Sequence, residues 1–160
     1  MPPPKLTDAE IQALYQGHGS ALAAYACCCG LDFALAEDVV QQIFLKLLRT
    51  VAPAPQFPLA YAYRAVRNAS MNLLRNRHRE SALPEDETWL VHTSSTSHLE
   101  DVFALQRVLR ELPPEQRETV FLHVWSGMTL QEVANATDTP LNTVASRYRY
   151  ALEKLRILLR

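Results

Sequence analysis

The stretch GMTLQEVANATDTPLNTVASRYRY, residues 127–150, carries two helix starts, one turn and a basic second helix. Thr129 is followed three residues on by Glu132, the reciprocal arrangement in which a hydroxyl takes one free amide of the first helical turn and a carboxylate takes another. A helix therefore starts at Met128-Thr129, just after the breaker Gly127. Leu130, Val133 and Ala134 share its inner face, and it gives out at Thr137-Asp138-Thr139-Pro140, where side chains that favour caps and turns cluster. Pro140 suits the first turn of the next helix, where a missing N–H costs nothing. That helix places Val144, Tyr148, Ala151, Leu155 and Leu158 on a core-facing stripe. Its opposite side offers Asn142, Ala145, Ser146, Arg149 and Glu153, with Thr143 near its start and Arg147 at the edge. The pattern is a helix-turn-helix whose second helix has the charge and polarity to lie in a DNA groove.

The remainder of the 160 residues is also helical in character. Hydrophobic residues make up 48% and there are four glycines, a balance that favours helices around a core. Thr7-x-x-Glu10 opens a first helix through Ile11, Leu14, Tyr15, Leu22 and Tyr25, with a bend or break expected at Gly17–Gly19 and an end at Gly30. A second helix is expected from about Phe33 to Thr50, and a third from about Leu59 to Arg79. Between them, residues 51–58 are too rich in proline for helix and too apolar for a tether. Residues 81–97 have no sustained period and combine Pro84, an acidic triplet and a serine-threonine tract, which marks a linker. Helix resumes at Ser97-x-x-Glu100, breaks at Leu112-Pro113-Pro114 and resumes from Glu115 to about Trp125. The expected fold is all-α: a module over 5–80, a flexible linker over 81–97, and a module over 98–160 containing the helix-turn-helix.

The net charge of −1 conceals a strong asymmetry. From Val39 to Arg79 there is no Asp or Glu, while Lys46, Arg49, Arg64, Arg67, Arg75, Arg77 and Arg79 all fall inside. On the third helix Arg64, Arg67, Asn68, Met71, Arg75 and His78 share one face, so its polar side carries positive charge alone. No apolar run spans a bilayer, and the N-terminal sequence lacks the charged-then-apolar layout of a signal peptide, so a cytoplasmic location without membrane insertion is expected. Cys27, Cys28 and Cys29 fan out by about 100° each on a helix, so they do not converge on a metal and read as small apolar fillers. The five histidines show neither metal-ligand spacing nor a nucleophile partner. No cofactor or metal is expected, and an enzyme is the least favoured class.

Three segments together resemble one family. Residues 36–48, AEDVVQQIFLKLL, are similar to the core-polymerase-binding helix of bacterial extracytoplasmic-function sigma factors of the sigma-70 superfamily. Residues 61–68, YAYRAVRN, resemble the family's promoter-melting helix, which reads the minus-ten element. Residues 112–118, 127–134 and 142–147 (LPPEQRE, GMTLQEVA, NTVASR) resemble its module for the minus-thirty-five element. The resemblance implies a transcription initiation factor without chemistry of its own, which binds core RNA polymerase and promoter DNA and is held by an anti-sigma factor. It implies polymerase docking by Asp38, Gln41, Gln42, Leu45 and Leu48. It assigns minus-ten contacts to Tyr61, Arg64, Arg67, Asn68, Arg75 and Arg77, with Tyr61 and Tyr63 as candidate stacking platforms. It assigns minus-thirty-five contacts to Asn142, Thr143, Ala145, Ser146, Arg147 and Arg149. By position, residues 51–58 inherit the family's cradle for an unstacked base.

The chain also departs from the family pattern. Gln42 stands where Glu is usual, Asn72 where Asp is common, Asn142 where Gly is common and Ala145 where a basic residue often meets the promoter. Two other classes stay open on the residues alone. One is a sigma-like module that sequesters an anti-sigma factor without touching DNA, against which the basic face of the third helix argues. The other is a helix-turn-helix repressor, which has no use for a polymerase-docking segment.

Overall fold

The computed structural model describes residues 4–80 and 107–160, with Arg79 and Glu80 as backbone only. The linker expected at 81–97 and the helix start expected at Ser97 lie outside the described residues. Three helices form the first module: α1 (Asp8–Cys28), α2 (Phe33–Arg49) and α3 (Pro58–Glu80). The second consists of a turn of helix at 107–110, α4 (Pro114–Val120) running into a π-helical turn (Phe121–Trp125), then α5 (Leu130–Thr137) and α6 (Leu141–Leu158). Among the described residues there is no strand, and no helix is long and apolar enough to cross a membrane.

Local chemistry accounts for the helix ends. Thr7 and Glu10 close a reciprocal box at the start of α1, and Asp32 accepts from the Leu35 amide at 2.9 Å to start α2. α1 ends at Cys28 and the chain turns at Gly30, whose φ of +122° disfavours any side chain and where an added Cβ would sit 3.2 Å from Leu74. The break expected at Gly17–Gly19 is absent: α1 runs through both glycines. Their conformational cost is met by tertiary packing, since Tyr15 lies over Gly19 and sets its ring edge-on to Phe44 at 5.1 Å.

In the second module, Arg117 replaces a C-cap. Its guanidinium donates to the carbonyls of Leu109, Arg110 and Leu112 at 3.0–3.2 Å, satisfying the end of the turn that the two prolines interrupt. The helix expected from Glu115 to Trp125 is present but changes character at Phe121, where the Ser126 amide reaches five residues back to the Phe121 carbonyl at 3.1 Å. α5 starts on Thr129: Glu132 N donates to Thr129 Oγ1 at 3.1 Å and Thr129 N to Glu132 Oε1 at 3.2 Å. It ends on Asp138 at φ +51°, a left-handed position that aspartate tolerates better than most residues. Thr129→Ala removes both the cap and its geometry, with an expected cost of about 1 kcal/mol. A thermal melt should fall by roughly 2–4 °C, and Thr129→Ser should restore it; an unchanged melting temperature for the alanine variant would contradict this account.

The two modules share one core. Leu22, Tyr25 and Ala26 of α1, Val40 and Phe44 of α2, and Ala62, Tyr63 and Val66 of α3 continue into Phe121, Leu122, Met128, Val133, Val144 and Ala151 without a break. α1 packs on α4 and the π turn, and α3 packs on α5, the first helix of the helix-turn-helix. Tyr25 sits at the junction, its ring 5.4 Å from Tyr63 and 6.0 Å from Phe121.

Candidate nucleic-acid interface

The α2 residues expected to dock on a partner are exposed and border two grooves. Val39, Val40, Phe44 and Leu47 are buried beneath, and Asp38, Gln41, Gln42, Leu45 and Leu48 are all exposed above. Leu45 and Leu48 keep 40% and 41% of their surface in solvent, so they are not core residues. With Ile11 and Tyr15 of α1 they line an apolar groove of about 420 Å³, rimmed by Asp8 and Gln41. Exposed leucines bordered by polar groups are the composition of a docking surface.

On the neighbouring side, α2 and α3 flank a wider groove of about 1080 Å³, with Lys46 and Gln42 on one wall and Arg64, Asn68 and Asn72 on the other. Tyr61 also lines it and is 42% exposed. Tyr63 is fully buried between Tyr25 and its neighbours, which removes it as a stacking platform. Its place follows from spacing: one turn before Val66 and next to Ala62, it lies on the core face of α3. The loop at 51–57 exposes Val51 and Phe57 and is pinned to the N-terminal segment by Ala54 N donating to Pro4 O at 3.0 Å.

The basic face of α3 is less free than its sequence suggests. Arg75 is exposed. Arg77 lies 3.8 Å from Asp32, and Arg64 lies 3.5 Å from Asp138, both near the surface. Arg67 is different: its Nε donates at 2.7 Å to Oε1 of Glu118, a residue of α4 that is almost wholly buried. The Tyr25 hydroxyl donates to the same oxygen. Partial burial works against the Arg67 charge, yet the Glu118 charge and hydrogen bond, aided by Tyr25 and Cys29, outweigh it and hold the guanidinium above its ordinary value. Burial, then Cys29 and Glu118 nearby, push the Tyr25 hydroxyl well up, and burial followed by Glu118 pushes the Cys29 thiol to about 12. Cys27 and Cys28 are buried and Cys29 is half-buried, in keeping with packing roles.

The α6 residues divide into two groups. Asn142, Thr143, Ala145 and Arg149 are exposed at and after the helix start, with Arg149 over the Tyr150 ring at 5.3 Å. Ser146 and Arg147 are half-buried, and the Ser146 hydroxyl donates to the Asn142 carbonyl at 3.0 Å, so its proton is engaged within the helix. Val144 and Ala151 are buried and Tyr148 and Leu155 pack against the core, while Leu158, expected on the same stripe, is 38% exposed and outside it. His123, set by Nδ1 against the Met128 carbonyl at 2.6 Å and by its ring edge against Tyr148, is a packing residue of this module.

Glu118 carries no role in the sequence pattern, while Tyr25 reads there only as a residue of the first helix and Asp138 only as a turn residue. Glu118 had a usable signal: it stands three and four residues before Phe121 and Leu122 and so shares their buried face. A carboxylate on such a face needs a partner, which spacing alone cannot name.

The sequence model "Sigma-70 region 2" matches residues 14–80, and "Sigma-70, region 4" matches residues 103–155. The ECF RNA polymerase sigma factor SigL of Mycobacterium tuberculosis is 26% identical over 156 residues, covering 93% of this chain and 88% of that protein. RNA polymerase sigma factor SigV of Bacillus subtilis is 25% identical over 126 residues, covering 78% and 75%. The fold is similar to that of the sigma factor RpoE solved in complex with the anti-sigma factor NepR from Bartonella quintana, with a TM-score of 0.73 at 23% identity over 96% of this chain and 98% of that one. It is also similar to CnrH solved in complex with the cytosolic domain of CnrY, with a TM-score of 0.67 at 24% identity over 96% and 89%. With both regions matched in order, on a fold that is helical among the described residues, the chain belongs to the extracytoplasmic-function sigma factors of the sigma-70 family, which direct transcription initiation.

Proposed function

We propose that this sigma factor docks on core RNA polymerase through Asp38, Gln41, Gln42, Leu45 and Leu48, and holds partly opened promoter DNA along α3. Tyr61 stacks on an unpaired base, and Arg64, Arg67, Arg75 and Arg77 meet phosphates with Asn68 between them. The start of α6 enters the major groove of the minus-thirty-five element, where Asn142, Thr143 and Arg149 are placed to read base edges and Arg147 to hold the backbone. Ala145 offers only a methyl group, and Ser146 only its oxygen. The observation that carries this reading is that Leu45 and Leu48 of α2, Arg64 and Arg75 of α3, and Asn142, Thr143 and Arg149 of α6 are all exposed, on helices whose opposite faces build the core. It works in the cytoplasm, without chemistry or a cofactor of its own. An anti-sigma factor is a further partner, and the apolar groove between α1 and α2 suits it.

The test is to mix the purified chain with bacterial core polymerase and ask whether a defined set of promoters is transcribed. Asn142→Ala and Arg149→Ala should then change preference among minus-thirty-five sequences by about 1–3 kcal/mol for each lost base contact. Promoter binding that is indifferent to core polymerase would favour a repressor instead. Unchanged preference in both variants would remove α6 as the reading helix.

A further inference from the structure

Glu118 belongs to the second module, but the partners of its carboxylate, Tyr25 and Arg67, both belong to the first. Glu118 is almost wholly buried, and taking a carboxylate out of water is costly unless it is paired and hydrogen-bonded. The pair therefore serves the junction between modules. Beside it, Arg64 and Asp138 form a second, exposed link between α3 and the end of α5. Both arginines lie on the face of α3 that is richest in positive charge.

We propose that Glu118 is an internal latch that occupies Arg67 in place of a DNA phosphate, so that closure of the two modules and DNA binding compete for one guanidinium. This rests on the reading of α3 as a phosphate-holding helix. A carboxylate and a phosphate present the same acceptor to an arginine, and while Glu118 holds Arg67 at 2.7 Å its negative charge offsets that of the guanidinium and repels a phosphate brought to the same group. Tyr25 adds directional strength, because its hydroxyl reaches Glu118 only when α1 and α4 are packed. Opening the latch frees Arg67 and separates α3 from α5 in one step, which couples exposure of the basic face to separation of the helix-turn-helix. The closed form is then the one that binds DNA poorly, and apparent affinity follows the fraction of open molecules.

The experiment uses the full chain, without polymerase, and a fluorescein-labelled single-stranded DNA of random sequence, since phosphate contacts are independent of sequence. Glu118→Gln keeps the shape of the side chain and removes its charge. It should enlarge the radius of gyration measured by X-ray scattering, leave helicity by circular dichroism unchanged, and tighten DNA binding by roughly tenfold. Tyr25→Phe, which keeps the ring and the ion pair, should give a smaller shift in the same direction and serves if the first variant fails to fold. Arg67→Glu combined with Glu118→Arg should restore the compact form and leave DNA binding weak. Unchanged size and DNA affinity in both Glu118→Gln and Tyr25→Phe would overturn the latch. If Glu118→Gln opens the molecule without tighter binding, competition is refuted; Arg67→Ala in that open background then decides the wider reading. A further loss of DNA binding would keep Arg67 as a phosphate contact, and no loss would remove it.

Discussion

Leu45→Asp combined with Leu48→Asp should weaken binding to core RNA polymerase by a factor of roughly a hundred or more, with the helical fold intact. Each leucine keeps about two fifths of its surface in solvent. Covering that surface in a complex contributes about 1–2 kcal/mol per side chain at 25 cal/mol per Å². A carboxylate in its place loses this gain and adds a desolvation penalty of about 1–3 kcal/mol where the partner offers no donor. Two such changes exceed the roughly 2.8 kcal/mol that corresponds to a hundredfold in affinity. In the free protein part of each side chain is already covered, so the melting temperature should fall by roughly a few degrees while the circular dichroism spectrum stays that of the parent. Polymerase affinity within threefold of the parent, in a folded double variant, would show that the docking surface lies elsewhere.

Phe121→Ala should produce the largest loss of stability, about 3–5 kcal/mol. The ring is fully buried, lies 6.0 Å from Tyr25 of the first module and stacks on Trp125 at 6.1 Å within the π turn. Its removal leaves a cavity where the two halves of the core meet, and neither half can close it without moving a helix. For a domain of this size the melting temperature should drop by roughly 10 °C. Trp125→Ala is the control: its side chain is 44% exposed, and the change should cost far less. A calorimetric scan in which both variants melt within a few degrees of the parent would contradict the shared core.

What could be read from the residues in order was whatever depends on neighbours a few positions away. The capping boxes at Thr7 and Thr129, the prolines at 113–114 and the spacing of Val133, Val144 and Ala151 act within one or two helical turns, so they placed the helices and their inner faces closely. The docking residues of α2 came instead from the family resemblance, and it took the structure to show that Leu45 and Leu48 are exposed rather than core. The glycines at 17 and 19 misled because helix propensity is a weak prior that Tyr15 and Phe44 override.

Only the tertiary structure decided which charges are free. Arg67 and Glu118 are 51 residues apart, and Tyr25 and Glu118 are 93 apart, so no local period links them. The basic face of α3 is written in the sequence as a row of arginines. The pairing of Arg67 within that row is set by a carboxylate from another helix, because electrostatic pairing depends on distance in space, and distance in space belongs to the packing of the modules.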